Sequence, residues 1–150
     1  DWWLSDAGEK SREAWPMFCD TQILTYQWWM DAVTDRDDFE DQNFSASYYT
    51  CNLNDGKNLS DAYLASNAEL KLGHSKGSKS SSALIRPSSG TNSGEFPFDF
   101  VRLFTNPSFT NWGEAVDGWY DDVRGSAESN AVRDAYDCNG STLFSGRIVR

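Results

Sequence analysis

Within Glu95–Thr105, EFPFDFVRLFT, phenylalanines stand at positions 96, 98, 100 and 104. A β-strand sends alternate side chains to one face, so this spacing demands a strand whose aromatic face is covered. Val101 and Leu103 make the opposite face apolar over its second half, which predicts a strand inside a sheet rather than at its edge. Arg102 interrupts the row where another apolar group is expected. A guanidinium buried there needs a carboxylate partner, because an unpaired buried charge is very costly.

Length limits what can surround that strand. The 150 residues accommodate one domain and a fraction of another, and 39% hydrophobic content with seven tryptophans supplies a core. The formal net charge of −10 opposes nucleic acid and anionic membrane surfaces as partners. No apolar run reaches the roughly 20 residues of a membrane-spanning helix. The chain starts at Asp1, is rich in Asn, Ser, Gly and Trp and is sparing of Lys. These features lead us to expect a processed, exported protein, periplasmic or extracellular.

Taken in order, residues 2–15 have the spacing of a helix stopped by Pro16, and residues 18–30 favour a strand, a helix being the alternative. The acidic stretch 31–41 is read as a linker. Its register from Asp35 puts Phe39 and Glu40 where a calcium loop needs a ligand and a glycine. Residues 44–51 predict a strand and Asn54-Asp55-Gly56 a turn. Residues 58–72 predict a helix, capped by Asn58 or Ser60 and ended at Gly73. Residues 82–87 predict a strand that precedes the Phe-rich one. A helix opening at Pro107 and Ser108 carries Trp112, Val116, Trp119, Tyr120 and Val123 as an apolar stripe. Gly125 breaks it, a short helix follows over 127–136, and residues 142–149 predict the last strand.

The fold class expected is therefore α+β. Residues 1–43 form a helix-strand half-unit with an acidic linker, and residues 44–150 form a ferredoxin-like βαββαβ domain. That domain is an antiparallel sheet with both helices on one face. Its first and last strands are neighbours, which brings Cys51 and Cys138 to one end of the sheet and predicts a disulfide, two buried thiols being the alternative. Cys138-Asn139 followed by Leu143 also parallels Cys19-Asp20 followed by Leu24. A repeat of this kind would leave Cys19 without a partner.

The βαββαβ order, the aromatic third strand and the Trp-bearing second helix resemble the dimeric α/β-barrel superfamily. More narrowly, Cys51-Asn52-Leu53-Asn54-Asp55-Gly56-Lys57, Phe98-Asp99-Phe100, Trp112 through Trp119 and Cys138 resemble a group of small exported proteins of marine bacteria. The resemblance implies a second sheet against the exposed sheet face, from a homodimer partner or a tandem repeat, with a cavity between the sheets. Activity does not follow from fold.

Chemistry is sparsely marked. His74 is the only histidine, with no ligand-type residue at suitable spacing, so neither a metal nor a haem cofactor is expected. Gly73–Ser80, GHSKGSKS, departs from a phosphate loop because Ser78 separates Gly77 from Lys79. No GxSxG elbow is present. Asp99 lies opposite the Phe row and is read as solvated or in a strand-edge role rather than catalytic. Arg102 is either a structural ion pair or, together with Arg86, an anchor for a ligand carboxylate or phosphate. In the second case Phe98, Phe100, Tyr48, Trp112 and Trp119 would wall the cavity. The function expected is a module binding a small, partly apolar or anionic ligand, or a partner chain, without assigned catalysis. The alternatives are a cofactor-free oxygenase or isomerase acting between two sheets, and a structural or assembly protein.

Overall fold

The computed structural model describes residues 23–30, 43–90 and 96–147. The helix expected over residues 2–15, the acidic stretch 31–41 and Cys19 lie outside them. Strands β1 (Ile23–Trp29), β2 (Asn43–Leu53), β3 (Ser81–Gly90), β4 (Phe100–Asn106) and β5 (Tyr136–Arg147) form one antiparallel sheet in the order β1-β3-β4-β2-β5. Helices α1 (Leu59–Ser75), α2 (Phe109–Gly118) and α3 (Ala127–Ala135) complete the α+β fold.

Helix α1 starts where its cap chemistry dictates. The Asn58 side chain accepts from the amides of Ser60 and Asp61, and the Asp61 carboxylate accepts from the Asn58 amide. Asn58→Ala is expected to lower the unfolding free energy by about 1 kcal/mol, read from a urea melt. The helix passes through Gly73, where an end was expected, and stops at Gly77 instead. There φ is +95°, the Gly77 amide donates to the His74 carbonyl, and the Ser78 amide donates to the Gly73 carbonyl. These two bonds satisfy the last-turn carbonyls and require a left-handed residue that glycine supplies without strain. The loop that imitates a phosphate motif is thus a helix terminus.

Two strands differ most from their expected limits. β4 begins at Phe100 rather than Glu95, with a bend over residues 97–99. Pro97 has no amide to donate, and Asp99 spends its carboxylate on the Leu53 amide at 2.8 Å. β5 begins at Tyr136, six positions before the expected 142. Asn139-Gly140-Ser141 has the composition of a loop, yet it forms a bulge opposite β2 where the register slips between Tyr48 and Thr50. Gly140 takes the positive φ of +62° there.

This extension of β5 brings Cys138 directly opposite Cys51, and the two form a disulfide. In-register pairing of Cys51, Phe100 and Cys138 puts Phe100, Cys51 and Tyr136 on the helix-bearing face. The main core forms on that face from Phe100, Cys51, Leu84, Ala62, Leu70 and Val132, with Met30 and Ala135. Phe100 is wholly buried and meets Tyr136 edge to face at 5.0 Å. Burial of one such ring contributes about 1.5–3 kcal/mol. A smaller cluster of Ala46, Ala83 and Leu103 lies on the other face.

Candidate functional site

The site begins with two charges in the wrong places. Arg102 is an inward position of β4, and Glu69 lies on the buried side of α1 among Ala62, Ser66 and Leu70. Arg102 Nη2 donates to Glu69 Oε2 at 3.0 Å, and both side chains are less than a tenth exposed. The second carboxylate oxygen, Oε1, accepts from the Trp119 indole Nε1 at 3.1 Å. Each member thereby regains part of the hydration lost on burial. The guanidinium stands 4.3 Å above the Phe104 ring, a cation–π contact within one strand face. Burial works against the Arg102 cation, but Tyr136 and Glu69 beside it outweigh that cost and hold its pKa above the ordinary value.

Tyr136 supplies the adjoining polar group. Its hydroxyl and that of Ser66 share a hydrogen bond of 2.7 Å inside the core. Burial raises the Tyr136 pKa, Arg102 and the Ser66 bond oppose the rise, and the net direction is upward from 10.0. A raised folded-state value means that the phenol's contribution is complete below about pH 10 and is lost as pH rises through that folded value. Urea melts from pH 8 to 11 should therefore show stability falling at the alkaline end. Tyr136→Phe should flatten that fall while costing about 1 kcal/mol at pH 8 through the lost Ser66 bond.

Beside this network lies a cavity of about 690 Å³ between sheet and helices, within the size range of small-molecule sites. Its sheet side carries Ser47, Tyr49, Arg102, Phe104 and Asn106, and its helix side carries Trp112, Val116 and Trp119. The cavity has a structural cause. No residue of α2 is buried, so its apolar stripe stands off the sheet and borders open space instead of closing on the core. A π-helical turn over Trp119–Val123 follows directly, bringing Val123 into a buried position while Tyr120 stays exposed. The Arg102 Nε donor is buried and has no hydrogen-bond partner.

Of the ligand residues expected from the sequence, the structure brings Arg102 to this cavity, along with Trp112 and Trp119. Tyr48 pairs with Leu103 on the opposite sheet face, partly exposed and edge-on to Phe144 at 5.5 Å. Phe100 is core, and Phe98 packs with Phe96 ahead of β4. Arg86 is exposed on β3. Asp99 is exposed and anchors the end of β2: its amide donates to the Cys51 carbonyl and its carboxylate accepts from the Leu53 amide. His74 Nε2 donates to the Ser80 carbonyl at 2.6 Å and ties α1 to β3. Among the described residues no group of three or more His, Cys, Asp or Glu side chains could hold a metal ion, and no helix is long and apolar enough to cross a membrane.

Sequence reasoning missed Glu69 and Ser66 as site residues, although a signal for the first existed. Glu69 follows Ala62 by seven and Ser66 by three, so helical geometry puts it on the apolar stripe. No protein-family model, curated protein or solved structure matches the chain significantly, and the cavity's own geometry is the ground for its function.

Proposed function

We propose that residues 44–150 form a ferredoxin-like βαββαβ domain that binds a small, partly apolar ligand between its sheet and its helices. The strand order β3-β4-β2-β5, with the helical segments following β2 and β4, supports the fold assignment. One observation carries the ligand reading: the 690 Å³ cavity has aromatic walls on two sides and is lined also by Arg102, whose buried Nε has no hydrogen-bond partner. A structural protein packing its helices onto this sheet face would fill that space. The Cys51–Cys138 disulfide supports an exported, oxidising setting. The exposed Tyr48 and Phe144 support the other sheet face as the place for a second sheet.

The neutral fluorophore N-phenyl-1-naphthylamine is a suitable probe. It should bind saturably at one site per chain and quench tryptophan emission. Val116→Trp, which fills the cavity, should abolish binding, and Tyr48→Ala on the opposite face should leave it unchanged. Binding that survives Val116→Trp but fails in Tyr48→Ala would overturn this reading.

A further inference from the structure

We propose that the ligand is uncharged, with an aromatic or otherwise apolar body and one hydrogen-bond acceptor, such as a ketone, amide or ester carbonyl, received by Arg102. This rests on the reading of the cavity as a ligand site and adds its selectivity.

Charge balance comes first. Arg102 and Glu69 neutralise each other at 3.0 Å in a setting where both are nearly fully buried. With Lys76 paired to Asp122 at 3.8 Å, the other charges around the cavity balance, Lys79 and Arg133 standing against Glu114 and Asp137. A carboxylate or phosphate entering beside Arg102 would share one cation with Glu69 and leave a net buried negative charge, which the low-dielectric surroundings penalise. A ligand cation would meet the same obstacle, because Glu69 already has both oxygens engaged by Arg102 and Trp119.

Donor satisfaction comes second. Arg102 has donors and no acceptor, and its buried Nε–H has no partner. A neutral carbonyl oxygen satisfies that donor without disturbing the ion pair. The anionic ligand expected from an arginine in an aromatic row is therefore disfavoured by Glu69, whose place beside that arginine appears only in three dimensions.

A matched naphthalene series tests this: 6-propionyl-2-(dimethylamino)naphthalene, its 6-propyl analogue without the carbonyl, and 6-(dimethylamino)-2-naphthoic acid. In the native protein the ketone should bind roughly tenfold more tightly than the alkyl compound, the scale of one hydrogen bond to a charged donor. The naphthoate should bind at least tenfold more weakly than the ketone. Glu69→Gln keeps a hydrogen-bonding side chain but removes the counter-charge, so the naphthoate should become the tightest of the three. Equal binding of ketone and alkyl compound, or preference for the naphthoate in the native protein, overturns the inference. An unchanged ranking in a folded Glu69→Gln protein overturns it as well. If that variant does not fold, the native ranking decides. Failure of all three compounds to bind would instead remove the underlying assignment of the cavity as a ligand site.

Discussion

Glu69→Leu alone is expected to destabilise the protein by about 3–5 kcal/mol, and addition of Arg102→Met is expected to return most of that loss. Removing the carboxylate leaves Arg102 charged, desolvated and stacked on Phe104, and also takes away the acceptor of the Trp119 indole. Removing both charges eliminates the unpaired ion and leaves apolar side chains of similar length against Leu70 and Phe104. Replacement of a buried pair by apolar groups is commonly neutral or stabilising. Urea denaturation of the native protein, both single variants and the double variant measures the coupling, since the two residues share one network. If Glu69→Leu costs under about 1 kcal/mol, the carboxylate is not the counter-ion that makes Arg102 tolerable.

The second large effect lies at the end of the sheet. Cys51→Ser with Cys138→Ser is expected to cost about 3 kcal/mol, and roughly 6–12 °C in Tm for a chain of this size. The bond joins residues 87 apart in sequence, so its loss releases a long loop in the unfolded chain. Its position adds a local consequence. β5 is otherwise exposed along nearly its whole length, so the disulfide is a covalent tie between an edge strand and the sheet's interior. Hydrogen exchange in the double variant should quicken most in β5 beyond the Gly140 bulge, while β3 and β4 keep their protection. Uniform loss of protection across the sheet would mean that the bond stabilises only through the unfolded state.

Residue types made the elements legible where local chemistry decides structure. Asn58 and Ser108 cap their helices as their side chains predict, and the alternation after Phe100 placed β4 inside the sheet. Cys51 and Cys138 could be paired because a βαββαβ order makes the first and last strands neighbours. Errors arose where tertiary pairing overrode composition. Asn139-Gly140-Ser141 is turn chemistry, yet hydrogen bonding to β2 absorbs it as a bulge. Phe96 and Phe98 continue the aromatic alternation but fall before the strand, because Pro97 has no amide to donate and the Asp99 carboxylate accepts from the Leu53 amide.

The site was half legible for a related reason. Arg102 announced itself by breaking an apolar pattern within one strand. Glu69 breaks an apolar pattern too, on a helix 33 positions away in the chain. Each misfit is ambiguous alone, since a lone charge on an apolar stripe can reach solvent at an edge. Taken together, misfits of opposite sign on packed elements predict an ion pair. The stand-off of α2 had no sequence signature, because Trp112, Val116 and Trp119 follow the same spacing whether they pack on a sheet or border a cavity.

Two-dimensional ¹⁵N–¹H NMR during titration with 6-propionyl-2-(dimethylamino)naphthalene, read at backbone and side-chain N–H signals, locates the ligand on one face of the sheet. Binding in the cavity should give large, saturable shifts of the Arg102 Nε–H and of the Trp112 and Trp119 indole N–H signals, with the backbone amides of Tyr48, Val101 and Phe144 nearly unmoved. Shifts concentrated at Tyr48, Val101 and Phe144, with Arg102 Nε–H unchanged, would contradict it and place ligand binding on the opposite face of the sheet.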